Sequence, residues 1–145
     1  MEEEKNVEIK SIPQLFWNTV QARSNKVAMR EKHLGIWQEV TWKQYGDNAK
    51  KTGLALNSLG LKKGEVVSIA SEGNPEWLYT DMGTIGAGGV SSGVYTTDSA
   101  AQVKYLVNDS GSKFYFAENE EQLDKILEVR GCLLYTSDAA DDMQC

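Results

Sequence analysis

The sequence predicts an α/β domain in which N-terminal helices and a small hairpin precede a partial doubly wound parallel sheet of order βαβαβα. A β-branched run at residues 66–70 is of buried-strand type, and the runs at 90–95 and 113–117 read as two further strands. Each run is followed by a stretch whose apolar residues recur at helical spacing. Strand, crossover helix, strand, repeated, is the sequence form of a parallel sheet with helices on its faces.

The elements follow in order. Ser11 can cap a first helix with Pro13 in its first turn, and Ile12, Leu15, Phe16 and Val20 fall on one face. That helix should end near Arg23, Ser24 and Asn25. Residues 27–31 and 36–41, separated by His33, Leu34 and Gly35, read as an antiparallel hairpin with its turn at the glycine. Thr41 and Gln44 have capping-box spacing. Tyr45, Ala49, Thr52, Leu56 and Leu59 then continue an apolar stripe until Gly60 stops the helix.

From residue 64 strands alternate with helices. Asn74 and Pro75 start a helix carrying Trp77, Leu78, Met82 and Ile85, which closes at residues 86–89. Asp98 and Ser99 start the next, with Val103, Leu106 and Val107, stopped at Ser110 and Gly111. Residues 120–129 form the last, with Leu123, Ile126 and Leu127 inward.

Composition narrows the function classes. The 145 residues are 41% hydrophobic and 25% charged, which suits one globular core rather than a disordered or fibrous chain. No apolar run is long enough to span a bilayer, and the start Met1, Glu2, Glu3, Glu4 lacks the basic-then-apolar order of a signal peptide. A cytoplasmic location is expected. The net charge is −6, and no basic stripe or run stands out that would neutralise a phosphate backbone, so no nucleic-acid partner is expected. Half of that charge comes from Asp138, Asp141 and Asp142; residues 1–130 hold 15 bases against 18 acids. Both cysteines, Cys132 and Cys145, lie in the same final stretch. The rest of the chain is cysteine-free, as a reducing compartment permits, and with His33 as the single histidine there is no metal-ligand pattern.

Gly86, Ala87, Gly88 and Gly89 form the glycine-richest segment, but they follow a helix and precede a strand. Phosphate loops have the inverse order, with helix amides facing the anion. These glycines read as a helix stop and a close helix-sheet contact. In an open parallel sheet the ligand positions are the turns at the carboxyl ends of strands, here residues 71–74, 96–99 and 118–120. None of these turns contains a lysine or a glycine-rich cradle. His33 reads as a solvated turn residue. Asn108, Asp109 and Ser110 match a glycosylation acceptor and, without a secretory signal, read as helix-ending turn chemistry. Trp17, Trp37, Trp42 and Trp77 are scattered among elements as packing aromatics are. Glu118, Glu120 and Glu121 suit a solvated helix start. Composition and period assign no catalytic, cofactor-binding or metal-binding residue; substrate-binding residues stay unassigned.

Whole blocks of the chain carry more. Thr41, Trp42, Lys43, Gln44 and Tyr45, then residues 54–64 (LALNSLGLKKG) and 66–77 (VVSIASEGNPEW), resemble the N-terminal part of the AMP-forming acyl-CoA synthetase and adenylating enzyme superfamily. Residues 85–95 (IGAGGVSSGVY) resemble its second conserved block. Residues 97–106 (TDSAAQVKYL) and 108–116 (NDSGSKFYF) resemble the long-chain fatty acid branch, bubblegum-like or bacterial, more than peptide-synthetase adenylation domains. The resemblance covers residues 11–130, after a flexible stretch 1–10. It implies an N-terminal fragment of an adenylation domain whose parent, an acid-thiol ligase, activates a fatty acid with ATP and Mg2+ as an acyl-adenylate and passes the acyl group to CoA. The family's phosphate loop and catalytic lysine match nothing in this chain, so the resemblance implies a scaffold that is itself inactive and binds no cofactor. Adenylation of another carboxylic acid, or a non-catalytic binding or assembly module, are the alternatives. The resemblance further implies fatty acid, ATP and CoA as the parent's ligands, a place for the parent at a membrane periphery, and self-association of the fragment through faces left uncovered.

Residues 131–145 break this pattern, with no sustained helical or strand period, and read as an unstructured, non-family appendage. Residues 132–145 (CLLYTSDAADDMQC) resemble translated sequencing-adapter read-through, with a divergent C-terminus from splicing or frameshift as the alternative.

Overall fold

The computed structural model describes residues 10–133, in two units that divide after Asn48. The first holds α1 (Ile12–Ala22), β1 (Val27–His33), β2 (Ile36–Thr41) and the start of α2 (Trp42–Ser58). Ser11 caps α1, its hydroxyl accepting from the Gln14 amide at 3.3 Å. The capping box of α2 is formed: Thr41 N donates to Gln44 Oε1 at 2.8 Å and Gln44 N to Thr41 Oγ1 at 3.2 Å. The amides of Trp42 and Lys43, otherwise unpaired in a first helical turn, donate to the carbonyls of Lys26 and Ser24.

Aromatic packing centres this unit. The buried Phe16 ring meets Tyr45 edge-on at 4.7 Å and Trp17 at 5.0 Å, and Trp42 stacks on Tyr45 at 5.9 Å. The apolar face predicted for α1 is only partly buried. Phe16 and Val20 point at α2, where a Cβ on Gly46 would fall 2.7 Å from Val20, while Ile12 and Leu15 are exposed. The hairpin turn is tighter than expected. His33 still pairs with Ile36, and only Leu34 and Gly35 turn, both with positive φ (48° and 83°), as a two-residue turn of the primed type requires.

The second unit begins within α2, at Ala49, and adds β3 (Val66–Ala70), α3 (Pro75–Gly86), β4 (Val90–Val94), α4 (Ala100–Ser110), β5 (Phe114–Ala117), α5 (Glu120–Glu128) and a 3₁₀ turn at Arg130–Cys132. All three strands are parallel, in spatial order β4-β3-β5. The central β3 is almost inaccessible from Val67 to Ala70, as its β-branched composition predicts. Its two faces divide the core. Val67 packs with Leu56, Leu61, Ala87, Phe114 and Phe116; Ala70 packs with Val94, Val103, Val107 and Ile126. Helices α2 and α3 therefore serve one face, α4 and α5 the other. The chain moves from β3 to one edge, then back across β3 to the opposite edge, so the winding reverses between β3 and β5.

The register of α5 differs from the predicted one. Its buried stripe is Gln122 and Ile126, continued by Val129, while Leu123 and Leu127 are exposed. Spacing of i, i+4 was available to either pair, and the helix buries the glutamine because that amide has partners below it. Leu59, predicted to extend the α2 stripe, is 71% exposed; Leu61, beyond the Gly60 turn, takes the inward place. At the far end, Leu133 packs against the Ala70-side core and Asn108 Nδ2 donates to the Cys132 carbonyl at 3.2 Å. Structured packing thus continues three residues past the predicted boundary at 130; residues 134–145, and 1–9 of the stretch predicted flexible, lie outside the described residues.

Helices α2 and α3 meet backbone to backbone. A Cβ on Gly83 would stand 2.7 Å from the Ala49 carbonyl and 2.8 Å from Thr52 Cβ, and a Cβ on Gly53 would stand 2.8 Å from the Gly83 carbonyl. Neither carbonyl can move without breaking its own helix. Gly83→Ala should therefore lower stability by about 1–3 kcal/mol through overpacking. Gly73→Ala, where the Cβ would enter open space, should stay within about 0.5 kcal/mol. Urea midpoints of the two variants check the difference.

Candidate functional site at the carboxyl ends of the strands

The sheet delivers three turns to one end: residues 71–74 after β3, 95–99 after β4 and 118–119 after β5. All three following helices begin there, and each first turn is capped by a residue placed for it. Asn74 Oδ1 accepts from Trp77 N at 2.8 Å, Ser99 shares a full capping box with Gln102, and Asn119 Oδ1 accepts from Gln122 N at 3.1 Å. These side chains occupy amides that could otherwise face an anion.

Two carboxylates join the turns. Glu118 Oε2 accepts from the Glu72 amide at 2.8 Å, and a Glu72 carboxylate oxygen accepts from the Thr96 hydroxyl. From below, Lys125 Nζ and Gln122 Nε2 both donate to the Thr96 carbonyl, at 2.6 and 3.3 Å. Lys125, the cation nearest this network, is also paired with Glu121 at 3.1 Å. A triphosphate needs free donors and positive charge. The capped amides, the carboxylates Glu72 and Glu118, and a lysine already committed to Thr96 and Glu121 do not fit one. Among the described residues no group of three or more His, Cys, Asp or Glu is placed to hold a metal ion.

Where the winding reverses, a groove of about 360 Å³ opens between α3 and the ends of β3 and β5. Its floor is Ile69, Phe116, Trp77 and Thr80, and its rim Ser71, Asn74, Glu76 and Glu118. This is the usual ligand position of an open α/β sheet.

The structure brings together the three turns that the strand-helix order identified and leaves the other candidates apart. Gly88 (φ 88°) ends the turn after α3 at the opposite, amino end of the sheet, and a Cβ on Gly89 would stand 3.0 Å from Leu61 and Thr84; these glycines make a helix stop and a close contact. His33 is exposed on the hairpin. Ser110 Oγ turns back to the Leu106 carbonyl at 2.6 Å, as helix-ending chemistry does. Trp17 and Trp42 share one aromatic cluster, Trp77 lines the groove, and Trp37 is exposed, with Lys32 Nζ 6.0 Å from its ring. Sequence reading missed Gln122 and Lys125 as supports of the β4 turn. The signal was a polar residue at the i−4 position of the buried Ile126.

The comparisons with known proteins bear on this fold. A family model described as AMP-binding enzyme matches residues 16–144. The chain belongs to the AMP-binding enzyme family. Within it, a long-chain-fatty-acid-CoA ligase, ACSBG2 from Mus musculus, is 34% identical over 119 residues, covering 82% of this chain and 18% of the relative. Among solved structures, the anthranilate CoA ligase AuaEII in complex with anthranoyl-AMP superposes with a TM-score of 0.77 at 24% identity, over 84% of this chain and 23% of that one. The N-terminal domain of FACL13 from Mycobacterium tuberculosis gives 0.75 at 22%, over 84% and 30%. The chain thus spans less than a fifth of the curated AMP-binding relatives it matches. No helix among the described residues is long and apolar enough to cross a membrane.

Beneath this end of the sheet, the Tyr115 hydroxyl is buried and has no hydrogen-bond partner among the described residues. Burial, and secondarily the negative charge of Asp98, push its pKa up to about 12. The fold favours the neutral phenol, so this contribution to stability is present below the ordinary value near 10 and is lost as pH rises towards 12. Tyr115→Phe should flatten that alkaline loss and leave neutral-pH stability unchanged or slightly raised, since it removes an unsatisfied group. Denaturant midpoints from neutral to alkaline pH, with the tyrosinate absorbance as a second readout, check both effects.

Proposed function

We propose that this chain supplies the N-terminal sheet of an ATP-dependent long-chain fatty acid-CoA ligase, and that it is a scaffold inactive by itself. The observation that carries the reading is its 34% identity to a long-chain-fatty-acid-CoA ligase over 119 residues. In the full-length parent a fatty acid carboxylate attacks ATP with Mg2+ present, pyrophosphate leaves, and the thiol of CoA displaces AMP from the acyl-adenylate. A carboxylate alone has no good leaving group, which is why the anhydride is needed. The rim at the carboxyl ends of the strands does not fit the phosphates, and no step is assigned to its residues. What this domain contributes is a rigid sheet with three turns tied at one end.

The parent is read as a cytoplasmic enzyme working at a membrane periphery. Residues 1–10 are taken as a flexible stretch before the domain proper and 11–130 as the adenylation-domain part; 131–145 are taken as an appendage to it, although Leu133 packs on its core, Cys132 bonds to Asn108 and the family match runs to 144. The exposed Val90, Tyr95, Leu123 and Leu127 favour self-association of the short chain, since apolar faces and strand edges left open promote it.

A second reading, activation of a different acid, is left open by the fold, which an anthranilate CoA ligase shares. Fusing residues 1–130 to the downstream sequence of the mouse relative and measuring acid-dependent ATP-pyrophosphate exchange separates the two. The fusion should exchange with long-chain acids, and the short chain should match a no-protein control. Preference for an aryl or short acid would select the second reading, and exchange by the short chain would overturn the scaffold assignment.

A further inference from the structure

The groove between α3 and the ends of β3 and β5 has a one-sided chemistry. Two half-buried aromatic rings, Trp77 and Phe116, make its floor with Ile69. The charged residues that line it, Glu76 and Glu118, are both acids, both exposed, and no base accompanies them among the described residues.

The neutral side chains of the rim already have partners. The Ser71 and Thr80 hydroxyls donate to the carbonyls of Glu72 and Glu76 at 3.0 and 2.8 Å. The Asn74 amide is bonded at both ends: Nδ2 donates to Ser71 Oγ at 3.0 Å and Oδ1 accepts from Trp77 N at 2.8 Å. The two carboxylates keep room to accept. Glu118 gives Oε2 to the Glu72 amide, which leaves Oε1. Glu76 has no ion pair or side-chain hydrogen bond among the described residues. A carboxylate in its place suits the first turn of α3, and that same turn sets it on the rim. Lys125, the one base bonded into the turns beside this groove among the described residues, is committed to Thr96, Gln122 and Glu121. A ligand that fits must therefore bring N–H donors and positive charge.

We propose that this groove is a binding site for a small organic cation, an ammonium group on a short apolar body. The ammonium donates to Glu76 and Glu118 in charge-assisted hydrogen bonds, and its charge is attracted to the faces of Trp77 and Phe116. The apolar body covers the floor. At about 360 Å³ the groove has the size of a small-molecule site. An anion is repelled by both carboxylates, and a neutral molecule leaves them without a counter-charge. The site stands apart from the ligase reading, since its ligand is neither the acid, the nucleotide nor the thiol.

Titration of the full chain at neutral pH, followed by heteronuclear NMR at the Trp77 indole N–H, tests this with three probes of one shape. Phenethylammonium should shift the Trp77 signal saturably. Phenethyl alcohol should bind about tenfold more weakly or less, and phenylpropionate should leave the signal in place. This series needs no variant, so it does not depend on a substitution being tolerated. Glu76→Gln should weaken phenethylammonium about three- to fivefold, and Glu76→Gln with Glu118→Gln about tenfold or more; glutamine at 118 still offers an oxygen to the Glu72 amide. Glu31→Gln with Glu128→Gln, matched in charge and exposed but outside the groove lining, should bind within about twofold of the parent chain. Circular dichroism verifies that each variant is folded. Equal binding of the alcohol, binding of the carboxylate, no saturable shift, or groove variants no weaker than the off-groove pair would each overturn the proposal. Tighter binding of an acetylated, amidated phenylalanyl-lysine would overturn it in favour of a protein partner. Acid-dependent exchange by the fusion does not read this site, so either reading can fail while the other stands.

Discussion

The backbone crossing of α2 and α3 at Gly53 and Gly83 is the contact on which the second unit depends. A glycine inside a helix costs about 1 kcal/mol relative to alanine, and this crossing places one in each helix. The cost is offset because carbonyl and Cα surfaces approach to distances no side chain allows. With α3 held there, Thr84 and Leu61 sit close against Gly89 and fix the start of β4. The same placement sets Trp77 and Thr80 over Ile69 and Phe116. The groove is thus a consequence of a helix crossing two turns away.

The two ends of the sheet solve different problems. At the amino end the chain must leave a helix and enter a strand in few residues, which takes glycines at Gly60, Gly64 and Gly88 with positive φ. At the carboxyl end it must start three helices, which takes oxygen-bearing caps at Asn74, Ser99 and Asn119. Glycine richness in this chain therefore marks helix exits. The end that holds the candidate site is marked instead by carboxylates that bond one turn to the next, Glu72 to Thr96 and Glu118 to Glu72.

Most of the fold was legible because its signals are local. Ser11, Thr41 with Gln44, and Asn74 fix helix starts through bonds spanning three residues, and the β-branched run of β3 declares burial on both faces. What was not legible depended on partners distant in sequence. Leu123 and Leu127 have the same i, i+4 spacing as the pair that is buried, and the Thr96 carbonyl, 26 residues before Gln122, together with Lys125 Nζ makes burying the glutamine favourable. At the candidate site, strand-helix order located the three turns, but not the bonds between Glu72, Thr96 and Glu118, since long-range pairing of polar side chains has no period. Trp77 was assigned to packing, and its place on the groove floor follows from the crossing at Gly83.

Net charge is a similar case of a correct average with little spatial content. A value of −6 for the chain describes its far field, but at physiological ionic strength charges are screened beyond about 8 Å. A partner at the surface of α2 meets Lys50 and Lys51 and, past the helix end, Lys62 and Lys63; it does not sense Glu118 or Glu121 at the other end of the sheet. In the sequence these lysines are two isolated pairs in an acidic chain. A regular helix with a known inward face turns Lys51 and Leu54 outward, and the second pair stands, also exposed, beyond the turn at Gly60. The distribution of charge is therefore a property of the fold, and partners excluded by composition have to be reconsidered once the inward residues of each helix are known.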